Sequence, residues 1–567
     1  MTMGTYLDAA RDNARGVVRN SAGGESYETT LWNRVARFLI LGTDSPTYYA
    51  SAPSLTADAV KWLQQALTHD AQQLIAVIVD VSTAGRAPRN DAAIFALAYC
   101  LVHLPASPAR ASAEAAVPRV VRTGTHLFQF VAALQACAGG RWNRARRRAV
   151  TRWYLDQTAD ALAYQAVKYR NREGWTHRDV LRLAHAPRTR RLRDEASGVI
   201  GRNDDAWEAV MSFAASNGGE DGSLEDPRIL DLWRAAQQID GETAGADAVA
   251  VAAGRVCALL QEGADNGIQL PWEALPASVL GHASVWCALV RYGLPLGALL
   301  RNLGRMTANG ALNDAETRRA VVARLQDATA LRSARIHPLA VLVALNTYNR
   351  GSGVLGKLLW RPQREIVDAL DAAFYASFGS VMATGARILL ALDVSGSMAM
   401  SEVAGMTGVT PRVGSAAMAL ITMAAEARAG GMVDVVGFTG GGSRQGVTPL
   451  SISPRQRLDD VVRMIDGLPF GPTDCAAPVL WAHALERQYD AFVIYTDNEH
   501  WAGSVTPARA LREYRAATGI DAVMIAVAMT ATRYTVADPA DPRMMDVVGF
   551  DTAAPEIMAR FITGRGW

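Results

Sequence analysis

Several residues whose presence would name a chemistry are scarce in this chain of 567 residues. The five cysteines, Cys100, Cys137, Cys257, Cys287 and Cys475, lie far apart and form no C-x-x-C pair. Thiols scattered this way read as small buried hydrophobes in a reducing compartment, which argues against a disulfide framework or a zinc knuckle. The nine histidines show no H-E-x-x-H or other ligand spacing, so catalytic zinc is not expected. No stretch reaches the roughly 18–20 uninterrupted apolar residues of a membrane helix. The start, Met1-Thr2-Met3-Gly4-Thr5-Tyr6, also lacks the basic-then-apolar pattern of a signal peptide. These absences lead us to expect a cytoplasmic protein with no membrane role; we also expect a monomer. A nucleophile elbow G-x-S-x-G is missing, as is a complete phosphate-cradling loop. The nearest miss, Gly351 to Gly356-Lys357, has Leu358 where a metal-binding hydroxyl belongs and reads as an interhelical turn. The run Gly440-Gly441-Gly442 lacks a following lysine and reads as a flexible turn. Lysine is rarest of all: with only Lys61, Lys168 and Lys357, arginine is the default cation, and its abundance alone carries no message.

What is present is apolar material, at 50% of the chain, with a mean hydropathy of +0.04. The length suggests two to four units. The net charge of +2 hides an uneven distribution, because residues 141–200 alone carry a net +9. Up to about residue 370, apolar residues recur at helical spacing between Gly, Pro and Asn/Asp breaks, as over 32–41, 57–67, 71–81, 92–101, 120–137, 159–169, 246–260, 320–331 and 338–348. Helices this short bury two faces only by stacking, which points to an α-solenoid of HEAT or armadillo type. After residue 385, apolar runs at 388–393, 432–438, 492–497 and 522–529 alternate with helical patterns at 413–428, 455–465, 476–488 and 507–517. That alternation predicts a Rossmann-like, doubly wound sheet, with ligands at the carboxyl ends of its strands. We therefore expect a helical domain over 1–378 and an α/β domain over 386–567, joined near Phe378 to Ala386.

Directly after Ile388-Leu389-Leu390-Ala391-Leu392 come Asp393-Val394-Ser395-Gly396-Ser397. One carboxylate and two hydroxyls at i, i+2 and i+4, where a buried strand spills into a loop, match the oxygen ligands a hard divalent cation takes. The turn Gly471-Pro472-Thr473-Asp474 offers another hydroxyl, and Asp497 ends a second buried strand. The expected ligands are Asp393, Ser395, Ser397 and Thr473, with Asp497 direct or through water, around Mg²⁺ or Mn²⁺. The plainer alternative makes Asp393 and its serines a helix cap. The three segments together resemble the metal-ion-dependent adhesion site of von Willebrand factor A domains. A two-metal nuclease built from Asp393, Asp474 and Asp497 fits less well, because serine and threonine hydroxyls suit a single ion open to a partner's carboxylate.

The basic segment begins Arg141-Trp142-Asn143-Arg144-Ala145-Arg146-Arg147-Arg148 and continues through Lys168-Tyr169-Arg170-Asn171-Arg172 to His185. Cations interleaved with aromatics suit RNA, since guanidinium groups neutralise phosphates and planar rings stack on bases. The same composition is also that of a solvated helix face with local ion pairs. Together with Arg37-Phe38-Leu39-Ile40-Leu41-Gly42, Leu299-Leu300-Arg301-Asn302-Leu303-Gly304-Arg305-Met306-Thr307, Arg335-Ile336-His337-Pro338 and Tyr495-Thr496-Asp497-Asn498-Glu499, this segment resembles the TROVE module of the Ro 60 kDa autoantigen family, whose bacterial members are the Ro sixty-related proteins. The resemblance spans essentially the whole chain.

That resemblance implies a ring of HEAT-like helices closed by the A-type domain. It implies a central hole for single-stranded 3′ ends of misfolded RNA and an outer surface for a Y RNA, with Lys168 and His185 at that surface. Arg170 and Arg172 join them by proximity, and Arg141, Arg144, Arg147 and Arg148 by the charge of their segment. It further implies a non-catalytic role in noncoding RNA quality control, beside a 3′-to-5′ exoribonuclease such as polynucleotide phosphorylase. Trp175 and Trp360 read as core anchors, Arg19 and Asn20 as helix-anchoring residues, and His177 as a first-turn residue. The alternative from another class is a metal-dependent protein-binding scaffold that captures an acidic protein ligand through the A domain and has no RNA role.

Overall fold

The computed structural model describes residues 18–20, 24–42, 52–172, 174–193, 200–216, 227–240, 246–353, 357–378, 381–400, 402–403, 408–440, 446–468, 471–497, 502–529, 532, 534–548 and 553–564. The expectations for Gly441, Gly442 and residues 354–356, and parts of the resemblance such as Asn498-Glu499, lie outside them. The described residues form two compact units. One draws on residues within 93–334 and 347–369, and the other on residues within 1–92, 335–346 and 370–567.

The first unit is helical. Helices Pro108–Val120, Gly124–Ala138, Arg144–Leu155, Ala159–Lys168, His177–Ala184, Asp205–Ser216, Arg228–Asp240, Ala246–Asp265, Ala283–Arg291, Leu296–Ala308 and Ala315–Gln326 pack on close neighbours in sequence, as stacked helical repeats do. Their starts are written in side chains: Ser107, Thr123, Asn143, Thr158 and Asp314 each accept a backbone N–H of the first turn. Two expected helices are each divided by such a cap. The pattern over 120–137 breaks because Thr123 accepts from the His126 N–H and starts a new helix. The pattern over 320–331 ends at Gln326, and Asp327 then accepts from the N–H groups of Thr329 and Ala330 to open Ala328–Ser333. A local side-chain acceptor competes with helix continuation, and apolar spacing does not register it.

The second unit holds a six-stranded sheet in the order Met544–Val548, Val523–Ala528, Ala491–Thr496, Arg387–Asp393, Met432–Phe438, Val447–Pro449. The first five strands run parallel and the sixth antiparallel. The three strands Val523–Ala528, Ala491–Thr496 and Arg387–Asp393 are almost wholly buried, which is why they read as continuous apolar runs. Helices Pro411–Ala429, Leu458–Asp466, Ala477–Ala484 and Pro507–Thr518 connect the strands. The sheet is the doubly wound α/β architecture expected after residue 385.

The start of the chain joins this second unit. Strands Val18–Arg19 and Glu25–Glu28 form a hairpin whose second strand pairs antiparallel with Tyr534–Thr535. Asn20 therefore holds a hairpin rather than a helix: its Oδ1 accepts from the Gly24 N–H at 2.9 Å and its Nδ2 donates to Ser26 at 3.2 Å. Arg19 is a strand residue of the same hairpin. From helix Leu31–Leu41, the fully buried Arg37 donates to the carbonyls of Thr532 and Tyr534, at 2.5 and 2.7 Å, and to Asp546 at 2.5 Å. Removing one partner of such a buried pair strands the other charge in the interior. Among the described residues no helix is long and apolar enough to cross a membrane.

Candidate ion site and nucleic-acid interface

The ion-site residues gather at the carboxyl ends of adjacent parallel strands. Asp393 ends the strand Arg387–Asp393 and is fully buried. Its Oδ1 accepts from the Ser395 N–H at 2.9 Å, and its Oδ2 accepts from the Thr496 hydroxyl on the neighbouring strand at 2.8 Å. The Ser395 and Ser397 hydroxyls lie 3.1 Å apart, so residues i+2 and i+4 do turn to one place. The loop is fixed from beneath by the buried Arg412, which donates to the carbonyls of Val394 and Ser395 and pairs with Asp466 at 2.7 Å. Asp497 follows the last residue of the strand Ala491–Thr496 and is 2% exposed.

Thr473 is buried in the turn that leads to Asp474. That turn is held by the Ala502 N–H donating to the Thr473 carbonyl, and Cys475 Sγ lies 3.8 Å from the Thr496 hydroxyl. Gly503 sits at φ +89, where a Cβ would come within 2.5 Å of the Asp474 carboxylate, so only glycine allows this approach.

The electrostatics fit a cation. Burial, and next the charge of Asp497, push the Asp393 carboxyl up to about 7. Burial also raises Asp474 to about 6. The buried Asp393 carboxylate, whose ionisation the charge of Asp497 opposes, forms with the neighbouring hydroxyl oxygens a hard-oxygen donor set. Among the described residues there is no group of three or more His, Cys, Asp or Glu side chains suited to a metal, so hydroxyls would have to complete the shell.

The basic residues fall into two sets. Some are occupied within the fold. Arg148 forms a two-point pair with Glu114 at 2.7 and 2.8 Å, and the Arg170 guanidinium lies 4.7 Å from the Trp233 ring centroid. Lys168, in the last turn of its helix, donates to the Tyr164 hydroxyl at 3.0 Å and rests against the Tyr164 and Tyr169 rings. Arg141 donates to the Ala138 carbonyl, and Arg147 is half-buried. Others stand in solvent. Arg144 is exposed in the first turn of its helix, and Arg172 sits at the edge of a small hairpin, Asn171–Arg172 with Trp175–Thr176.

His185 is exposed and caps helix His177–Ala184 at φ 53, ψ 42. A left-handed conformation at a residue other than glycine costs roughly 1–2 kcal/mol. The helix under it is firmly built. Thr176 and Asp179 form a reciprocal capping box, and the buried His177 bonds the Tyr154 hydroxyl at 3.0 Å among Phe128 and Trp153. Burial drops the His177 ring to about 4, so it is a neutral core residue. Trp360 is likewise structural, donating to the Tyr348 carbonyl at 2.9 Å.

Sequence reasoning passed over three arginines of this helix and the turn after it. Arg178, Arg182 and Arg188 line a pocket of about 180 Å³ with Met211, and among the described residues none of the three makes a hydrogen bond or ion pair. Their four-residue spacing across the 178–182 turn was the signal available.

A stacked-helix module with an open arginine face, in one chain with a von Willebrand factor A sheet bearing D-x-S-x-S at a strand end, defines a class of two-module proteins. Residues 18–351 match the TROVE domain and residues 387–562 the Ro60 vWA domain, and the chain belongs to that Ro60 family. It is 40% identical over 550 residues to the RNA-binding protein RO60 of Deinococcus radiodurans, covering 97% of this chain and 96% of that one. It is 34% identical to the RNA-binding protein RO60 of Caenorhabditis elegans, covering 97% and 90%. Among solved structures, the crystal structure of the Deinococcus radiodurans RO (RSR) protein matches with a TM-score of 0.66 at 39% identity, over 94% of this chain and 99% of that one.

Proposed function

We propose that this chain is a non-catalytic RNA-binding protein of noncoding RNA quality control, working as a cytoplasmic monomer. On this reading a Y RNA lies along the face marked by Lys168, Arg172 and His185. Single-stranded 3′ ends of misfolded RNA enter the central hole that the family resemblance implies. A 3′-to-5′ exoribonuclease such as polynucleotide phosphorylase takes over the presented RNA. The relatives named as RNA-binding proteins and the TROVE match support RNA as the partner.

The observation that carries the reading is the strained, exposed His185 beside Arg178, Arg182 and Arg188. Three guanidinium groups without partners among the described residues are available to phosphates, and a planar ring on a firm helix end is available to a base. In the A domain, Asp393, Ser395, Ser397 and Thr473, with Asp497 direct or through water, hold Mg²⁺ or Mn²⁺. Bound there, the ion offers an open position to an acidic protein ligand, which is an adhesive rather than a hydrolytic chemistry.

Binding of a Y RNA and of a 3′-tailed RNA, each followed against salt, tests the reading. Affinity falls by roughly 0.7 log units per decade of salt for each phosphate neutralised on a single strand. Lys168→Ala and His185→Ser weaken Y RNA binding selectively, and capping the tail in a duplex removes the second mode. Equal binding of blunt and tailed RNA at physiological salt, or an unchanged Y RNA affinity in His185→Ser, contradicts it.

A further inference from the structure

A second concave site lies in the unit that carries the sheet, where helix Leu31–Leu41 meets the edge strand Met544–Val548. It is a cavity of about 40 Å³ lined by Asn33 and Asp546, with Met545, Pro542 and Phe561 among its apolar walls. Asn33 is 4% exposed and Asp546 is 6% exposed. Among the described residues, Asn33 Oδ1 and Asp546 Oδ2 accept no hydrogen bond. Each unmet buried acceptor costs on the order of 1–3 kcal/mol, so two on one cavity ask for a donor.

The neighbouring cations do not supply it. Arg37 and the Thr535 hydroxyl both donate to Asp546 Oδ1, leaving Oδ2 to the cavity. Arg515 is committed to Asp541 at 2.7 Å, and Arg512 lies 3.7 Å from Asp538.

We propose that this cavity binds the primary ammonium end of an alkylamine. The two unmet groups are acceptors, so the head group must be a donor, and an ammonium is compact and donates three hydrogen bonds with no lone pair to leave unmet. The volume exceeds the roughly 10–15 Å³ that one water needs; the carboxylates of Asp538 and Asp541 stand with Asp546 in a lining that favours a cation, beside methionine, proline and phenylalanine walls. They suit a methylene stem. The same chemistry is carried by a free diamine and by a partner's lysine side chain.

Calorimetry on the full chain tests this with n-butylammonium as the probe and n-butanol as its uncharged counterpart. The ammonium binds with one-to-one stoichiometry, and butanol binds at least about tenfold more weakly, as the loss of a charge-assisted hydrogen bond requires. Asn33→Leu weakens the ammonium by about tenfold or more, and Asn33→Asp, which adds a carboxylate to the same wall, tightens it. The second variant keeps the test decisive if the first fails to fold. Tighter binding of Nα-acetyllysine amide than of cadaverine assigns the head group to a partner's lysine, and the reverse order assigns it to a free diamine. Equal binding of butanol, or an ammonium affinity unmoved in Asn33→Asp, overturns the proposal.

Discussion

At the strand ends of the A domain, four of the five proposed ion ligands are inside the fold, whereas on the helical module the proposed RNA contacts divide between cations the fold has engaged and cations it leaves in water. Asp393, Ser395, Thr473 and Asp497 are each at most 4% exposed. Arg148 and Arg170, by contrast, spend their charge on Glu114 and Trp233, while Arg178 and Arg182 stand open. A buried carboxylate without a cation is costly and therefore diagnostic. An arginine serves a salt bridge, a ring or a phosphate equally well, so only its surroundings say which.

The largest effect separates the two sites. A ligand that binds only the native state stabilises it by about 4 kcal/mol at 1,000 times its Kd. Saturating Mg²⁺ therefore raises the melting temperature of the wild type, and Asp393→Ala removes that rise. RNA affinity in the same variant stays within about threefold, as independent sites require. A fall of RNA affinity to background in Asp393→Ala breaks the separation.

Next comes acid. The His177 ring sits at about 4 in the fold, below its ordinary value, so its contribution is fully present above about pH 6.5 and is lost as pH falls toward 4. The loss amounts to about 3 kcal/mol at most. His126, also lowered to about 4 by burial, adds in the same direction. Thermal melts from pH 7 to pH 4.5 should show the helical module weakening. His177→Gln lowers stability at neutral pH and flattens part of that slope, and an unchanged slope would remove His177 from the account.

The smallest effect is the most discriminating for His185. His185→Gly relieves the left-handed strain and gains up to about 1 kcal/mol of stability while Y RNA binding weakens. If stability and affinity instead fall together, the residue is structural.

The two sites differed in how much of them could be read beforehand. The gathering of the proposed ion ligands was legible because D-x-S-x-S lies in one loop after an apolar strand, and strand order carries Asp497 to the same edge. The strand Met432–Phe438 was found at its observed bounds, although Asp434 interrupts its apolar residues and only its second half is buried. The pairing of Glu25–Glu28 with Tyr534–Thr535 was not legible, because a four-residue strand and a two-residue one carry no period, and the contact spans some 500 residues. Arg37 looked like one cation among many until its partners Thr532, Tyr534 and Asp546 were in place. In the basic segment, composition marked the region, but the choice among its arginines depended on tertiary neighbours such as Glu114 and Trp233.

The central claim is that the open arginines, rather than the most arginine-dense run, hold RNA. It is tested most directly by measuring Y RNA affinity and melting temperature side by side for Arg182→Ala and Arg148→Ala. We expect Arg182→Ala to lose about five- to tenfold in affinity and to lower the salt slope by close to one phosphate, with its melting temperature unchanged. Arg148→Ala should melt earlier, from the loss of its Glu114 pair, and bind RNA nearly as the wild type does. The opposite pattern, with affinity lost in Arg148→Ala and kept in Arg182→Ala, would contradict the account.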